Sequence, residues 1–133
     1  MKAMSAKITR SIPAGANIDV CDNSGAKKVK VFNVRRYTTI KGGLPKGGVG
    51  DFVMGSVVSG RPDMRKKVVM GVIVRQKKEY KRADGTRIKF EDNAMIVFKD
   101  EKGNPKGTLF KGPIAKEAVE RWPTLAKIAS MIV

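Results

Sequence analysis

The sequence predicts a mainly β protein, a small closed barrel of about five strands followed by short helices. Apolar runs rich in β-branched residues follow one another from Asn17 to Phe98, with no helical pattern between them. After Gly112 the apolar period changes to about four residues. Parallel βαβ topology is disfavoured because no helix lies between the strands. The 133 residues are therefore expected to form one domain.

The chain begins with an arm, residues 1–16, that is expected to be extended and weakly structured. A short strand follows from Asn17 to Asp22, and the polar residues 22–25 form a turn by composition. Residues 27–37 alternate between valine and basic side chains, which predicts a strand. Phe32 and Asn33 break this alternation, and the break predicts a bulge or a twist.

The middle of the chain alternates between flexible loops and strongly apolar strands. Residues 41–50 hold five glycines and a proline, so they are expected to form a loop with no regular element. The runs 52–59 and 68–74 are apolar on both faces, and the basic residues 61–67 connect them. The residues expected to lie mainly in the barrel core are Val53, Val57, Val69, Val72, Val74, Ile88, Phe90, Ile96 and Phe98.

A basic hairpin is predicted between the last two strands. Asp84-Gly85 suits a two-residue type I′ turn, in which both central residues need φ > 0. Counting outward from this turn gives the cross-strand pairs Arg82–Arg87, Tyr80–Lys89 and Lys78–Glu91. Two arginines placed opposite each other repel, unless a polyanion lies across that face. The hairpin thus points to nucleic acid.

The C-terminal residues 112–133 show a helical pattern. Ile114, Ala118 and Trp122 recur every four residues, Pro123 ends that helix, and Thr124 is placed to cap a second one. The predicted organisation is an arm over 1–16, a barrel with its basic hairpin and loops over 17–111, and a helical appendage over 112–133.

The charge of the chain is strongly positive and unevenly distributed. The formal net charge is +16, and residues 24–48 contain seven basic residues and no acidic one. Such a field favours a phosphate backbone or an anionic membrane as the partner. A membrane-surface protein would need a basic amphipathic helix, but the predicted helices are the least charged part of the chain. Nucleic acid is therefore the expected partner, and no membrane partner is expected.

Enzymatic chemistry is not supported by the residues. The chain has no histidine, its acidic residues are scattered, and Lys46 is followed by Gly47-Gly48 rather than by the Ser or Thr of a phosphate-binding Walker A loop. Cys21 stands alone after a short apolar strand, which predicts a buried thiol rather than a disulfide, a zinc ligand or a nucleophile. No enzyme activity, cofactor or metal is expected. Since no signal-peptide pattern is present, the expected location is the cytosol.

Several segments together resemble the family of large-subunit ribosomal proteins numbered fourteen in the universal scheme. The segments, which occur in the order typical of the family, are DNSGAKKVKVF (22–32), GVGDFV (48–53), GVIVRQKKEYKRADGTRIKFEDNA (71–94), GPIAKE (112–117) and ERWPTLAKIAS (120–130). They cover nearly everything from Asn17 onward. The long arm before Asn17, RPDMRKK and the ERWP segment resemble the archaeal and eukaryotic branch.

This resemblance implies a structural role in the large ribosomal subunit. It implies a five-stranded barrel with a projecting basic hairpin, bound to large-subunit rRNA on the subunit-facing side, near the sarcin–ricin loop. It also implies intersubunit bridges to small-subunit rRNA, contacts with neighbouring ribosomal proteins, and docking of a subunit anti-association factor.

The basic loops and the hairpin are expected to form most of the RNA-contact surface. Arginines should make more bidentate phosphate contacts than lysines. The alternative is a free OB-type protein that binds single-stranded nucleic acid by stacking bases on exposed aromatics. Only Tyr80 and Tyr37 are placed to stack, because the phenylalanines, Phe32 among them, are expected in the core. The RNA-contact candidates are Lys27, Lys28, Arg35, Arg36, Lys41, Lys46, Arg65, Lys66, Lys67, Lys78, Arg82 and Arg87.

The near-neutral C-terminal segment is expected to serve protein contacts. Residues 112–133 have a net charge of +1 and contain the single tryptophan, a common interface anchor. An alternative remains open, in which the apolar stripe merely covers an open end of the barrel. The family resemblance makes the segment 108–116 the expected dock of the anti-association factor. The protein-contact candidates are Thr108, Lys111, Lys116, Glu117 and Glu120.

Overall fold

The computed structural model of the protein describes residues 2–35 and 41–133. Five of its strands close into a barrel, which confirms the predicted fold class. Two smaller two-stranded sheets and a short helical segment complete the fold. The elements are β1 (Ile12–Pro13), β2 (Asn17–Val20), β3 (Ala26–Val34), β4 (Lys46–Gly47), β5 (Phe52–Gly60), β6 (Val68–Arg75), β7 (Tyr80–Lys81), β8 (Arg87–Ile88), β9 (Ala94–Phe98), α1 (Lys116–Arg121) and a 3-10 helix (Pro123–Lys127).

The barrel has the strand order β2-β3-β5-β6-β9, and it closes through a parallel pairing of β2 with β9. All other neighbouring strands of the barrel pair antiparallel. The pairing of β3 with β5 shifts register between Val31 and Asn33, so the predicted bulge at Phe32 is confirmed. A bulge lets two successive side chains point outward, and both Phe32 and Asn33 are exposed.

The strands are apolar on both faces because two hydrophobic clusters share the barrel wall. Successive residues of a strand point to opposite faces. Val53, Val57 and Val69 lie in the cluster inside the barrel, as predicted. A second cluster lies on the outside of the wall. Some of the residues predicted for the barrel core belong to this outer cluster, so they are buried but do not lie in the barrel interior. They are Val72, Val74, Ile96 and Phe98, with Ile88 and Phe90 partly buried beside them.

The C-terminal segment covers this outer cluster. Ile114, Ala118 and Trp122 are buried as the predicted stripe, but they lie against the side wall of the barrel rather than across an open end. The indole of Trp122 packs 5.7 Å from the ring of Phe52 and donates a hydrogen bond to the carbonyl of Gly50 (3.0 Å). The segment therefore completes the hydrophobic packing of the domain.

The helices of this segment are shorter than predicted, and the predicted cap is wrong. Trp122 is the N-cap of the 3-10 helix, so Thr124 lies inside the helix. The Thr124 hydroxyl donates instead to the carbonyl of Gly103, at 2.6 Å. Proline at the first helical position needs no N–H partner, which lets the helix begin one residue earlier than the predicted cap.

The N-terminal arm is attached to the barrel at several points. β1 pairs with β4, and Ile12 is buried in the barrel interior. The side-chain amide of Gln76 donates to the carbonyl of Thr9 (3.0 Å). The glycine-rich stretch therefore contains one short regular element, β4, where only a loop was expected.

The hairpin has a different turn from the predicted one. Tyr80 pairs with Ile88, which shifts the register by one residue from the prediction. The N–H of Arg82 donates to the carbonyl of Thr86 (2.8 Å), so the loop has three residues and φ is positive (+93°) at Gly85 but not at Asp84. Because a one-residue slip exchanges the two faces of a strand, it turns Tyr80 and Arg82 inward.

Candidate nucleic-acid interface

Nearly all the predicted RNA-contact residues present their side chains to solvent. Arg82 is the exception among the described residues, and Arg36 lies outside the described ranges. Exposure makes contact with RNA possible, and the contacts themselves stay a prediction. The exposed candidates are Lys27, Lys28, Arg35, Lys41, Lys46, Arg65, Lys66, Lys67, Lys78 and Arg87.

The connection between β5 and β6 forms a fixed basic turn. Met64 is only 2% exposed and lies in the interior cluster, so it anchors residues 61–67 to the barrel. The N–H of Lys66 donates to the carbonyl of Val57 (3.0 Å), and the N–H of Val57 donates to the carbonyl of Lys67 (2.9 Å). This leaves three consecutive exposed cations, residues 65–67, on a turn whose backbone is held at both ends.

The backbone of this turn is strained at Lys66. Its φ is +63°, and it is the single non-glycine residue with positive φ in the part of the chain that the structure describes. The left-handed conformation costs an ordinary residue about 1–2 kcal/mol. Strain of this kind is common at functional sites, where the surrounding structure holds it in place.

The outward face of β3, β5 and β6 is a second basic surface, which we call the open sheet face. It consists of Lys28, Lys30, Phe32, Val58 and Val68, and the C-terminal segment does not cover it. Phe32 is 48% exposed, so its predicted place in the core is wrong. The three strands contain no acidic residue. The exposure of Phe32 could have been predicted from the sequence, because the alternation breaks at Phe32–Asn33.

Arg82 and Glu117 point into the protein and bind each other. The Nε of Arg82 lies 2.7 Å from the Oε1 of Glu117, and the hydroxyl of Tyr80 donates to the Oε2 of Glu117 (2.9 Å). Glu117 is 1% exposed and Tyr80 is fully buried. The expectations that Glu117 faces outward and that Tyr80 can stack on a base are therefore wrong. The cause is the hairpin register, which places both hairpin residues against α1.

Raised pKa values keep Tyr80 protonated and Arg82 charged at neutral pH. Burial raises the pKa of Tyr80 above its usual value of 10, and the neighbouring charge of Glu117 raises it further. Burial alone would lower the pKa of Arg82, but hydrogen bonds to Glu117 and Tyr80 outweigh it and raise the pKa. The cluster, which we call the Tyr80–Arg82–Glu117 cluster, therefore links the hairpin to α1 as a charged, hydrogen-bonded unit.

Two further arginines, each also in an ion pair, hold the C-terminal segment on the barrel. The guanidinium of Arg75 lies 3.0 Å from Asp92 and donates to the carbonyls of Lys111 (2.9 Å) and Pro113 (3.1 Å). Arg121 on α1 donates to the carboxylate of Asp51 at 2.9 Å. Sequence reasoning missed these contacts, because no local pattern pairs residues that lie 17 to 70 positions apart in the chain. These arginines serve the packing of the domain.

The segment predicted to dock a protein factor lies on the surface. Thr108, Lys111, Lys116 and Glu120 are exposed, which leaves them available for a partner. The side-chain oxygen of Asn23 accepts a hydrogen bond from the N–H of Thr108 (2.8 Å), so the start of the segment has a defined backbone position.

Cys21 is buried, and burial, the main cause, raises the pKa of its thiol from 9.0 to about 12, which excludes a reactive thiolate at neutral pH. Within the described residues, no group of His, Cys, Asp and Glu side chains could hold a metal ion. None of the helices in residues 2–35 and 41–133 is both long enough and apolar enough to cross a membrane.

Comparison with known proteins identifies the family. A family model described as Ribosomal protein L14p/L23e matches residues 11–133. The chain is 56% identical to the large ribosomal subunit protein uL14 of Nanoarchaeum equitans, with all of both chains covered. It is 52% identical to the uL14 of Methanococcus maripaludis and 51% identical to that of Methanococcus vannielii, each with 99% of both chains covered. The relatives are archaeal, which confirms the predicted branch. The chain therefore belongs to the L14p/L23e family of ribosomal proteins.

Proposed function

We propose that this protein of the large ribosomal subunit binds large-subunit rRNA through its exposed cations, on the subunit-facing side of the subunit. As a member of a ribosomal protein family, it is a structural component of the cytoplasmic ribosome and not an enzyme. The observation that carries the proposal is the distribution of charge. The most buried carboxylates, on Asp22, Asp51 and Glu117, have their partners inside the protein, whereas the cations of the basic turn and of the open sheet face point outward.

The fixed basic turn supports recognition of RNA shape and backbone. Its three cations are carried on a backbone held by hydrogen bonds to β5 and by buried Met64. Cations on a pre-arranged turn lose little conformational freedom when they meet phosphate. Phosphate contacts of this type fix position and orientation on the RNA.

The salt dependence of rRNA binding tests the proposal. We compare the double variant Arg65→Ala/Lys67→Ala with the control Lys116→Ala/Lys127→Ala, which removes the same charge from the C-terminal segment. The assay uses an in vitro transcript of large-subunit rRNA. The turn variant should make the negative slope of log K against log salt shallower by about 1.4–1.8, or 0.7–0.9 per lost phosphate contact. The control should keep the wild-type slope. Equal slopes for the turn variant and the control would reject the basic turn as an RNA contact.

We also propose that the protein contributes to bridges with small-subunit rRNA and contacts neighbouring ribosomal proteins. Its exposed cations lie on separate elements, since Arg87 lies on β8 and Lys78 just before β7, while residues 65–67 lie in the connection between β5 and β6. Distinct basic surfaces could hold two RNA chains at once. Reassociation of subunits carrying Lys78→Ala should then weaken, as sucrose gradients would reveal, whereas Lys127→Ala should leave it unchanged.

The segment 108–116 is proposed as the dock of a subunit anti-association factor. Its exposed Thr108, Lys111 and Lys116, together with Leu109 (53% exposed), offer polar, basic and apolar contacts on one stretch of chain. Glu120, at the exposed end of α1, extends this surface, whereas Glu117 does not. Capture of the factor by subunits should decrease for Thr108→Arg and for Lys116→Glu. Undiminished capture by both variants would remove the segment from the interface.

A further inference from the structure

The open sheet face combines cations with apolar side chains that no part of the described chain covers. Phe32, Val58 and Val68 are 48%, 51% and 61% exposed. The neighbouring part of the same barrel wall is sealed by the C-terminal segment, so leaving this part open is a specific feature of the fold.

The strand register places a lysine, a serine and a valine of this face in one row. Lys30 pairs with Ser56 on β5, and Ser56 pairs with Val68 on β6, so one row crosses all three strands. Phe32 lies one step further along β3, where the bulge turns it outward. The face thus places the ring of Phe32 next to Lys30 on one strand, with Ser56 and the exposed Val68 completing the row on the next two.

We propose that Phe32 stacks on an unpaired base of RNA while Lys28 and Lys30 contact the phosphates beside it. The inference rests on the proposed rRNA binding and adds to it a second mode of contact, through a base rather than through the backbone. Base–aromatic stacking on an open sheet is a general way for proteins to hold unpaired RNA, because every base has a π face.

Charge favours RNA over a protein as the occupant of this face. The three strands carry no acidic residue, while Lys28 and Lys30 lie on the face itself and Lys66 and Lys67 lie beside the end of β5. Interfaces between proteins are depleted in lysine relative to the rest of the surface. RNA with unpaired bases supplies both phosphates for the lysines and a base on which Phe32 can stack.

Substitution of Phe32 separates stacking from general attraction to phosphate. The probes are a large-subunit rRNA transcript and a perfectly paired RNA duplex. We expect Phe32→Ala to weaken binding to the transcript by about 5- to 150-fold and to leave duplex binding unchanged, because a paired base offers no free face. Phe32→Tyr keeps the ring and should bind the transcript like the wild type. Lys30→Ala should weaken binding to both RNAs and lower the salt slope.

A matched control is Met131→Ala, which removes an apolar side chain of similar exposure (56%) from another surface and should bind both RNAs like the wild type. Zero-length ultraviolet cross-linking should also attach the transcript to the peptide containing Phe32, and the cross-link should be lost in Phe32→Ala. The inference is overturned if Phe32→Ala binds the transcript as tightly as the wild type. It is also overturned if the variant keeps its RNA affinity but loses a neighbouring protein from reconstituted subunits. Failure of the wild type to bind the transcript would instead reject the proposed function.

Discussion

Removal of the Glu117 carboxylate should destabilise the protein far more than removal of an exposed acid from the same helix. In Glu117→Ala, the guanidinium of Arg82, whose side chain is 13% exposed, loses its 2.7 Å partner, and the fully buried Tyr80 hydroxyl loses its acceptor. Breaking a buried ion pair on one side costs about 3–5 kcal/mol, because the other charge stays buried without a partner. Arg82 keeps one hydrogen bond, to the main-chain oxygen of Val133, which favours the lower end of this range.

The free energy of unfolding can be measured by urea denaturation, with the fluorescence of Trp122 as the probe. This is the single tryptophan of the chain, and it packs between the barrel and α1. The control Glu120→Ala removes an exposed carboxylate from α1 and should change stability by no more than about 0.5 kcal/mol.

A double-mutant cycle shows whether the loss comes from the pair itself. Arg82→Met combined with Glu117→Leu removes both charges, so the double variant should be more stable than the sum of the two single losses predicts, by about 0.5–3 kcal/mol. A Glu117→Ala variant that is no less stable than Glu120→Ala would refute the assignment of the cluster as a structural link.

Three further outcomes follow from the buried groups and the backbone. Cys21 and Tyr80 have raised pKa values in the folded protein, so the stability they provide is complete below pH 9 and is lost as pH rises from there. Cys21→Ala should reduce the alkaline loss between pH 9 and 12, where a single thiol contributes up to about 1.4 kcal/mol per pH unit, as urea titrations at each pH would show. Lys66→Gly should relieve the left-handed strain and raise stability by about 0.5–1 kcal/mol while weakening rRNA binding; a loss of stability would contradict the strain. Gly71→Ala should cost about 1–3 kcal/mol or more, since the added methyl would meet the backbone oxygen of Ile96, and wild-type stability would disprove this close approach.

The parts of the fold predicted from sequence are those set by local pattern. The apolar strands, the bulge at Phe32–Asn33 and the stripe of Ile114, Ala118 and Trp122 all follow from periodicity along the chain. The two-sided apolar character of residues 68–74 was visible as well. The sequence did not show that these two faces belong to two different clusters, because a periodic pattern does not distinguish an interior cluster from an outer one.

The parts that failed depend on contacts between distant residues. The Asp84-Gly85 pair fits both a two-residue loop and a three-residue loop with Gly85 in the left-handed region. Packing of the hairpin on α1 favours the three-residue loop, because Tyr80 and Arg82 then contact Glu117, some 35 residues later in the chain. The same slip removed Arg82 from the list of exposed candidates for RNA contact. The described site residues other than Arg82 and Glu117 kept their predicted exposure. Where such a residue has a distant partner, as Arg35 has in Glu101 at 4.0 Å, the contact lies on the surface.

The closure of the barrel by β2 and β9 has a consequence for the order of events during synthesis. The parallel pairing joins Asp19 to Ala94, so no closed barrel exists until the chain has been made to about residue 98. Residues 99–133 are made after this strand, and until they have left the ribosome and docked, the outer cluster with Val72 and Val74 is uncovered. A nascent chain in this state carries most of its positive charge beside an uncovered apolar wall. The C-terminal segment thus acts as the last step of maturation, ending a period in which the protein is most prone to aggregate or to capture stray RNA.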